Sequence, residues 1–191
     1  MPRSSEATKS RILSAAYKLL YREGFTRVSM DSIAEAANIT KKTLYYHFSS
    51  KDELVAAVLE HQHNRALAQI QNWADTSANN PVDFVAALFK ELQVWASGRR
   101  WLGSGFTRLT MELADLPGHP ARRAAHQHKS AVEDWLAYEL KRLEQPRPQE
   151  LAQQIMLLIE GCMALVLIHG DTGYVSAAAK TADQLVQQRK A

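Results

Sequence analysis

The side chains with the most evident chemistry lie together in residues 39–54, ITKKTLYYHFSSKDEL. The segment contains lysines, two adjacent tyrosines and a histidine, which donate hydrogen bonds to phosphates and other anions when they are exposed. Elsewhere the sequence shows no catalytic arrangement, no glycine-rich phosphate loop and no cluster of metal ligands. We therefore predict a binding protein that is not an enzyme and that requires neither a cofactor nor a metal.

A helix over residues 41–48 would direct these side chains away from the protein. With Leu44 pointing inward, a rotation of about 100° per residue places Phe48 only about 40° from it, on the buried side. The predicted solvent face then consists of Lys42, Thr43, Tyr45 and Tyr46, with His47 and Lys51 toward its edge. Such a face fits the major groove of DNA, where lysine reaches guanine acceptors, threonine contacts either base type, and tyrosine and histidine donate to phosphates. The alternative is that the tyrosines are core or surface residues without a binding role.

Capping and turn residues predict the helices that position this face. Gly24 ends an amphipathic helix over Ser5–Glu23, and Ser29 then caps the short helix MDSIAEAA. Asn38 follows, and asparagine tolerates the left-handed conformation that a tight turn between helices often requires. Thr40 caps the helix that carries the exposed face.

The rest of the chain also reads as helical. A capping box, in which Ser50 and Glu53 satisfy each other's free backbone donors, begins a long helix from Lys51 to about Trp73. Further helices are predicted at 81–97, 101–113, 120–144, 149–169 and 174–188. Three short to medium helices followed by a long one are typical of helix-turn-helix architecture. The predicted fold is all-α, with a three-helix domain over residues 1–50 and a larger C-terminal helical domain over residues 51–191.

Charge and composition agree with a polyanion-binding N-terminal segment. Residues 1–51 carry nine lysines and arginines and four acidic residues, a net charge of +5, whereas the whole chain of 191 residues carries +3. The single cysteine, Cys162, and the lack of a signal-peptide core in the first residues favour a cytoplasmic location. The longest apolar run, residues 155–168, is interrupted by Glu160 and Gly161, which indicates a buried helix more than a membrane span.

Residues 29–51, SMDSIAEAANITKKTLYYHFSSK, resemble the DNA-binding signature of TetR-family transcriptional regulators. In that family a Ser/Thr-capped helix with an I-A-x-x-A core leads through a turn to a recognition helix that ends L-Y-x-H-F and is followed by a lysine. The matching positions are Ser29, Ile33, Ala34, Ala37, Thr40, Leu44, Tyr45, His47, Phe48 and Lys51. The motif covers about the first quarter of the chain, and the rest is similar to the family in length, helicity and order of elements.

The resemblance implies roles for individual residues. Phosphate contacts would come from Ser29, Thr40, Tyr45, His47 and Lys51, and base or mixed contacts from Lys41, Lys42, Thr43 and Tyr46. Two positions depart from the family pattern: Asn38 replaces the usual glycine, which the turn accepts, and Lys42 replaces a small residue. Lys42 adds a charge in the groove, and the resemblance therefore does not predict the sequence of the operator.

The two C-terminal helices are predicted to join two subunits. Nearly every position of residues 155–168 is apolar, and a helix that is apolar all round must be covered on all sides. The resemblance implies that this helix and the amphipathic one after it form a four-helix dimer interface, the alternative being that both close the monomer core. The predicted interface residues are Ile155, Ile159, Cys162, Val166, Val175, Ala178, Ala182 and Leu185. A two-fold homodimer would place two recognition helices roughly 34–36 Å apart, about one turn of DNA, on a palindromic site.

Large aromatic residues in the middle of the chain are candidates for an effector pocket, since such side chains line many ligand sites. The predicted lining is Trp73, Trp95, Trp101, Phe106, Met111, His126 and Trp135. The same side chains are ordinary contents of a helical core, and this alternative stays open. The effector is predicted to be a largely apolar or aromatic small molecule, and the sequence does not identify it.

These observations lead to one main hypothesis and one alternative. The main hypothesis is a cytoplasmic, homodimeric transcriptional regulator, in the family's usual role a repressor, which binds a palindromic operator and is released by a small-molecule effector. The alternative is a helical small-molecule-binding or scaffold protein whose N-terminal domain no longer reads DNA. A steep fall of DNA affinity with increasing salt would favour the first of these.

Overall fold

The computed structural model describes residues 5–187, and its regular secondary structure within that range is entirely α-helical, which confirms the all-α fold class. The helices are α1 (Ser5–Glu23), α2 (Met30–Ala36), α3 (Lys41–His47), α4 (Lys51–Trp73), α5 (Pro81–Ala96), α6 (Gly105–Glu112), α7 (Pro120–Arg142), α8 (Pro148–His169) and α9 (Gly173–Gln187). The largest difference from the predicted boundaries is the start of α6, predicted at residue 101. The last predicted helical residue, 188, lies outside the described range.

The described residues form two compact units. The first unit comprises the residues up to Asn64 together with Ser104–His128, and the second comprises Arg65–Gly103 together with the residues from Lys129 onward. Helices α4 and α7 each contribute residues to both units. The functional division predicted after residue 50 concerns which part binds DNA and which part binds an effector, and it stays a prediction.

A shared apolar core holds the first three helices together. Ile12, Ala16 and Leu20 on α1 are buried, as are Ile33 on α2 and Leu44 on α3. Helix α2 packs against both α1 and α3. Since α2 and α3 have seven residues each, too few for a stable isolated helix, this core rather than helix propensity fixes the orientation of α3.

One predicted cap differs from the observed arrangement. Ser50 Oγ accepts a hydrogen bond from the backbone nitrogen of Glu53 at 3.1 Å, as expected. The carboxylate of Glu53, however, accepts from the backbone nitrogen and the hydroxyl of Ser49, at 2.8 and 2.6 Å, instead of from Ser50. Ser49 therefore donates both its backbone N–H and its hydroxyl to this carboxylate, and the hydrogen bond from the hydroxyl lowers the pKa of Glu53.

The second unit has a larger core, in which α9 packs against both α5 and α8. The residues predicted to form the dimer interface belong to this core. Ile155, Ile159, Cys162, Val166, Val175, Ala178 and Ala182 are buried within the single chain, and Leu185 packs against them partly buried. These side chains therefore do not form a surface that a second subunit could cover, and this part of the prediction is revised. Because α8 is apolar on all sides, its sequence does not distinguish the inward side from the outward side.

Helix α8 is the one helix among residues 5–187 that is long and apolar enough to cross a membrane. Part of its surface is buried inside the second unit, in the core formed with α5 and α9. Length and composition alone do not separate a membrane span from a helix that packs in the core of a folded unit.

Candidate nucleic-acid interface

Helix α3 presents polar side chains to solvent and apolar ones to the core. Leu44 has no exposed surface and Phe48 is 2% exposed, whereas Tyr46 is 80% and Tyr45 46% exposed. Lys42 is exposed as well. The predicted orientation of the helix is thus confirmed, while the contacts that its side chains make with DNA stay a prediction.

His47 lies at the edge of this face and is partly buried. Its ring meets the ring of Tyr46 edge-on, with 5.2 Å between the ring centroids.

A tight turn between α2 and α3 sets the direction of the face. The backbone nitrogen of Ile39 donates to the oxygen of Ala34 at 3.0 Å, and that of Asn38 donates to the oxygen of Glu35 at 2.9 Å. Asn38 has a φ of +51°, in the left-handed region that asparagine adopts more readily than most other residues. The structure therefore explains how asparagine replaces the glycine that is usual at this turn.

The hydroxyl groups that cap α2 and α3 are engaged within the protein. Ser29 Oγ accepts from the backbone nitrogen of Ser32 at 3.0 Å, and Thr40 Oγ1 accepts from that of Thr43 at 3.1 Å. The two threonine hydroxyl oxygens lie 2.9 Å apart. Either hydroxyl can be the donor of this hydrogen bond, and the other then accepts it.

An acidic residue that the sequence reasoning did not single out lies beside α3. Asp31 on α2 forms an exposed ion pair with Lys41, whose Nζ lies 2.8 Å from Oδ1 and 3.1 Å from Oδ2. The hydrogen bond to Asp31 raises the pKa of Lys41, which is therefore charged at neutral pH. The sequence gives little indication of this ion pair, because Asp31 is one acidic residue in a basic segment and precedes Lys41 by ten residues.

Lys51 is held differently from the lysines of α3. Its Nζ donates to the backbone oxygen of Phe25 at 2.5 Å and lies 4.1 Å from the centre of the Phe25 ring. Burial lowers the pKa of Lys51. Its ammonium group thus anchors the turn between α1 and α2, and the phosphate contact implied for it stays a prediction.

Helix α6 holds the same turn through two side chains. Oε2 of Glu112 accepts hydrogen bonds from the backbone nitrogen of Phe25 at 2.7 Å and from that of the next residue at 3.3 Å. Arg108, one helical turn earlier, donates to the backbone oxygen of Tyr21 near the end of α1. Gly24, at φ +89°, leaves room for this carboxylate, since a Cβ there would lie 2.7 Å from Glu112 Oε1. Sequence patterns did not reveal these contacts because the partners are 86 or 87 residues apart.

Three of the residues predicted to line an effector pocket come together in the second unit. The rings of Trp73 and Trp95 lie 5.3 Å apart, and those of Trp95 and Trp101 lie 5.5 Å apart. All three are partly buried beside the core. The indole nitrogen of Trp101 is buried and has no hydrogen-bond partner within the described part of the chain.

The other predicted pocket residues lie elsewhere. Trp135 contacts a phenylalanine of α5 in the core of the second unit. In the first unit Phe106 stacks on the buried ring of His128, with 3.8 Å between centroids. Met111 and His126, also in the first unit, are exposed. The predicted set is therefore not one site, and the tryptophan cluster is the part that the structure brings together.

Comparisons with known proteins identify the family of this helix-turn-helix. Residues 12–58 match the family model described as bacterial regulatory proteins, tetR family. The chain is 23% identical to the HTH-type transcriptional regulator YjdC of Escherichia coli K12 over 92% of each chain. It is 37% identical to the HTH-type transcriptional regulator UidR of the same organism over 71 residues, which are 37% of this chain and 36% of UidR.

The similarity in structure extends over nearly the whole chain. A solved TetR transcriptional regulator from Streptomyces avermitilis is 28% identical and superposes with a TM-score of 0.79, covering 92% of this chain and 98% of that one. These relatives are transcriptional regulators, which confirms that the chain is not an enzyme and favours a regulator that binds DNA over a protein that no longer reads it. Residues 12–58 thus form a DNA-binding domain of the tetR family, and the chain is similar over nearly its whole length to TetR-family transcriptional regulators.

Proposed function

We propose that this regulator is a cytoplasmic repressor that binds a palindromic operator as a homodimer and leaves it when a small-molecule effector binds. The observation that carries the proposal is the outward face of α3, where Lys42, Tyr45 and Tyr46 are exposed opposite the buried Leu44. Two exposed phenols and a lysine are hydrogen-bond donors, and the core fixes the helix that carries them.

On DNA, we assign α3 to the major groove. Lys42 and Tyr46, which point directly away from the core, are proposed to contact base edges, each such contact being worth about 1–3 kcal/mol of discrimination. Lys41 and Thr43 are assigned base or mixed contacts, and phosphate contacts are assigned to Ser29, Thr40, Tyr45, His47 and Lys51. The proposal for Lys51 requires that its ammonium group reach a phosphate while it remains near Phe25.

The outer side of α8 is proposed as the dimer interface. Leu157 is 73% exposed, Ile168 is 71% exposed, and Leu165 and Gly161 between them are exposed too. These residues recur every three or four positions and so form one apolar stripe along the helix. An apolar stripe on a folded unit indicates a surface that another protein covers, and the glycine permits close approach of a second helix. A second copy of the chain is the occupant that a palindromic operator requires.

The tryptophan cluster of the second unit is proposed as part of the effector site. Its indole rings suit a largely apolar or aromatic molecule. The unpaired indole nitrogen of Trp101 would be satisfied by an effector with a hydrogen-bond acceptor, since leaving a buried donor unpaired is unfavourable.

The response to the effector is proposed to reach the DNA-binding surface through helices that both units share. Helices α4 and α7 contribute residues to each unit, so a displacement at one end of either helix moves residues of the other unit. Within the first unit, Lys51 on α4 and Glu112 on α6 both hold the turn that precedes α2. A shift of these anchors would change the direction of α2 and α3 and reduce operator affinity.

The proposal for DNA recognition is tested with wild-type protein and the variants Tyr46→Ala and Lys42→Ala in gel-shift titrations on selected palindromic DNA. Each variant should lose about tenfold or more in operator affinity, as expected for the loss of one base contact. Val94→Ala, which truncates an exposed side chain on α5, serves as the control and should bind like wild type. Wild-type affinity and unchanged sequence preference in both α3 variants would show that this face does not read DNA.

A further inference from the structure

The two neighbouring lysines at the start of α3 are held in different ways. Lys41 lies 2.8 Å from the carboxylate of Asp31, whereas Lys42 forms no ion pair with any residue in the range 5–187. Both lysines are exposed, and both belong to the surface that is proposed to face DNA. The difference between them lies in Asp31, to which the DNA-binding signature gives no role.

Helix capping does not account for the position of Asp31. The start of α2 is already capped by Ser29, whose hydroxyl accepts from the backbone of Ser32 and whose backbone nitrogen donates to the hydroxyl of Ser32. The carboxylate of Asp31 is directed instead to Lys41, the first residue of α3. Exposed ion pairs contribute little to stability, so the main consequence of this pair is the charge that it presents to a ligand.

We propose that Asp31 is a specificity-determining residue of the DNA-binding surface, an inference that rests on the proposed function. In the free protein Asp31 neutralises Lys41 and fixes the position of its ammonium group. On DNA of arbitrary sequence, Lys41 gains a phosphate only by leaving this carboxylate, which itself repels the DNA backbone. On the operator, Asp31 holds Lys41 where it can make its proposed base or mixed contact. The carboxylate therefore lowers the affinity for the operator less than it lowers the affinity for DNA of arbitrary sequence.

Removing the charge of Asp31 should therefore increase affinity and reduce discrimination. In Asp31→Asn the freed Lys41 neutralises one more phosphate per protomer, so the slope of log affinity against log salt becomes steeper by about 0.9 per protomer. Between about 50 and about 200 mM salt, the affinity of this variant for random duplex DNA should fall about threefold more per protomer than that of wild type. The ratio of operator affinity to random-DNA affinity should fall as well.

The experiment is a fluorescence-anisotropy titration of the full chain against a selected operator and a random-sequence duplex at several salt concentrations. Wild type is compared with Asp31→Asn and with the double variant Asp31→Asn/Lys41→Met, which should return to about the wild-type slope because the freed charge is removed. Glu23→Gln is the matched control, since it breaks the exposed Arg22–Glu23 pair (2.5 Å) at the end of α1, outside the helix-turn-helix. Thermal unfolding of each variant checks that the fold is intact.

The outcomes separate this inference from the proposed function. If wild type binds its operator and Asp31→Asn shows the same slope and the same specificity ratio as wild type, the role of Asp31 is refuted while the proposed function stands. The role is also refuted if the slope of log affinity against log salt is as steep for the double variant as for Asp31→Asn, or if Glu23→Gln steepens that slope equally. If wild type binds neither duplex, the proposed function itself is refuted.

Discussion

Helix α3 in the first unit and helix α8 in the second both expose one side, but the exposed chemistry is opposite. Helix α3 exposes Lys42, Tyr45 and Tyr46, which donate hydrogen bonds, whereas α8 exposes Leu157 and Ile168, which do not. Contact with a charged surface such as DNA is favourable for a polar, positively charged face, whereas removal from water is favourable for an apolar stripe. We therefore propose two different partners for the two faces, DNA for α3 and a second copy of the chain for α8.

The largest expected effect comes from placing a charge in the apolar stripe. Leu157→Glu should convert the dimer to a monomer, because a second copy would have to bury an unpaired carboxylate. With only one recognition helix per particle, operator affinity should fall by roughly 10²–10⁴-fold. Analytical ultracentrifugation measures the mass, and gel-shift titration measures the affinity.

Val94→Glu is the matched control for this charge. Val94 is an exposed apolar residue of α5 in the same unit, but it is not part of the α8 stripe. This variant should remain dimeric and should bind the operator like wild type. A dimeric Leu157→Glu, or a monomeric Val94→Glu, would contradict the assignment of the interface to the outer side of α8.

A smaller effect is expected from a variant that weakens the contacts supporting the polar face of α3. Glu112→Ala removes the acceptor of two backbone N–H groups in the turn before α2, and one of them belongs to the half-buried Phe25. The free energy of unfolding should decrease by about 1 kcal/mol, and operator affinity should decrease with it. Thermal denaturation and gel-shift titration measure the two quantities.

Two further variants sharpen this test. Glu112→Gln keeps an oxygen acceptor and should recover most of the stability, whereas Glu35→Ala, an exposed acid of α2, should change little. If Glu112→Ala is as stable as Glu35→Ala and binds DNA equally well, α6 does not hold the DNA-binding surface.

How well the sequence predicts the exposed side of a helix depends on how clearly its apolar and polar positions are separated. In α3 and its C-cap, Leu44 and Phe48 are the apolar positions of a polar segment, so only one orientation buries both, and the structure has that orientation. In α8, apolar residues occur on every side, and the predicted interface positions Ile155 and Ile159 are those that face the core. Helix periodicity therefore predicts the exposed side of α3 but not that of α8.

Long-range polar contacts are the other part that the sequence did not predict. The hydrogen bonds of Glu112 to the turn at Phe25, and the ion pair of Asp31 with Lys41, join residues whose proximity depends on the packing of whole helices. Caps, in contrast, are local: Ser29 and Thr40 were predicted as caps and are caps. Glu53 is a partial exception among the caps, because its carboxylate accepts from Ser49 and not from Ser50.

The smallest expected effect, no change at all, is that of Leu157→Glu on the reactivity of Cys162, which lies on the inner side of α8. Burial raises the pKa of its thiol from 9.0 to about 11, so at pH 8 its thiolate fraction is about 100-fold below that of an unperturbed thiol. Alkylation by iodoacetamide, followed by mass spectrometry, should be slower by at least this factor in the native protein. The same slow rate is expected in Leu157→Glu, because the core of one chain protects Cys162. Rapid alkylation in that variant would place Cys162 between subunits, as the sequence first suggested.

The most direct test of the central claim is the enrichment of bound sequences from a random pool of duplex DNA by the wild-type protein. We expect a palindrome whose half-site centres lie about one helical turn apart, near 10 base pairs, or a multiple of that spacing. We also expect Tyr46→Ala and Lys42→Ala to lose preference at particular positions of that palindrome. No enriched sequence, or enrichment that both variants reproduce unchanged, would contradict the assignment of α3 as the helix that reads DNA.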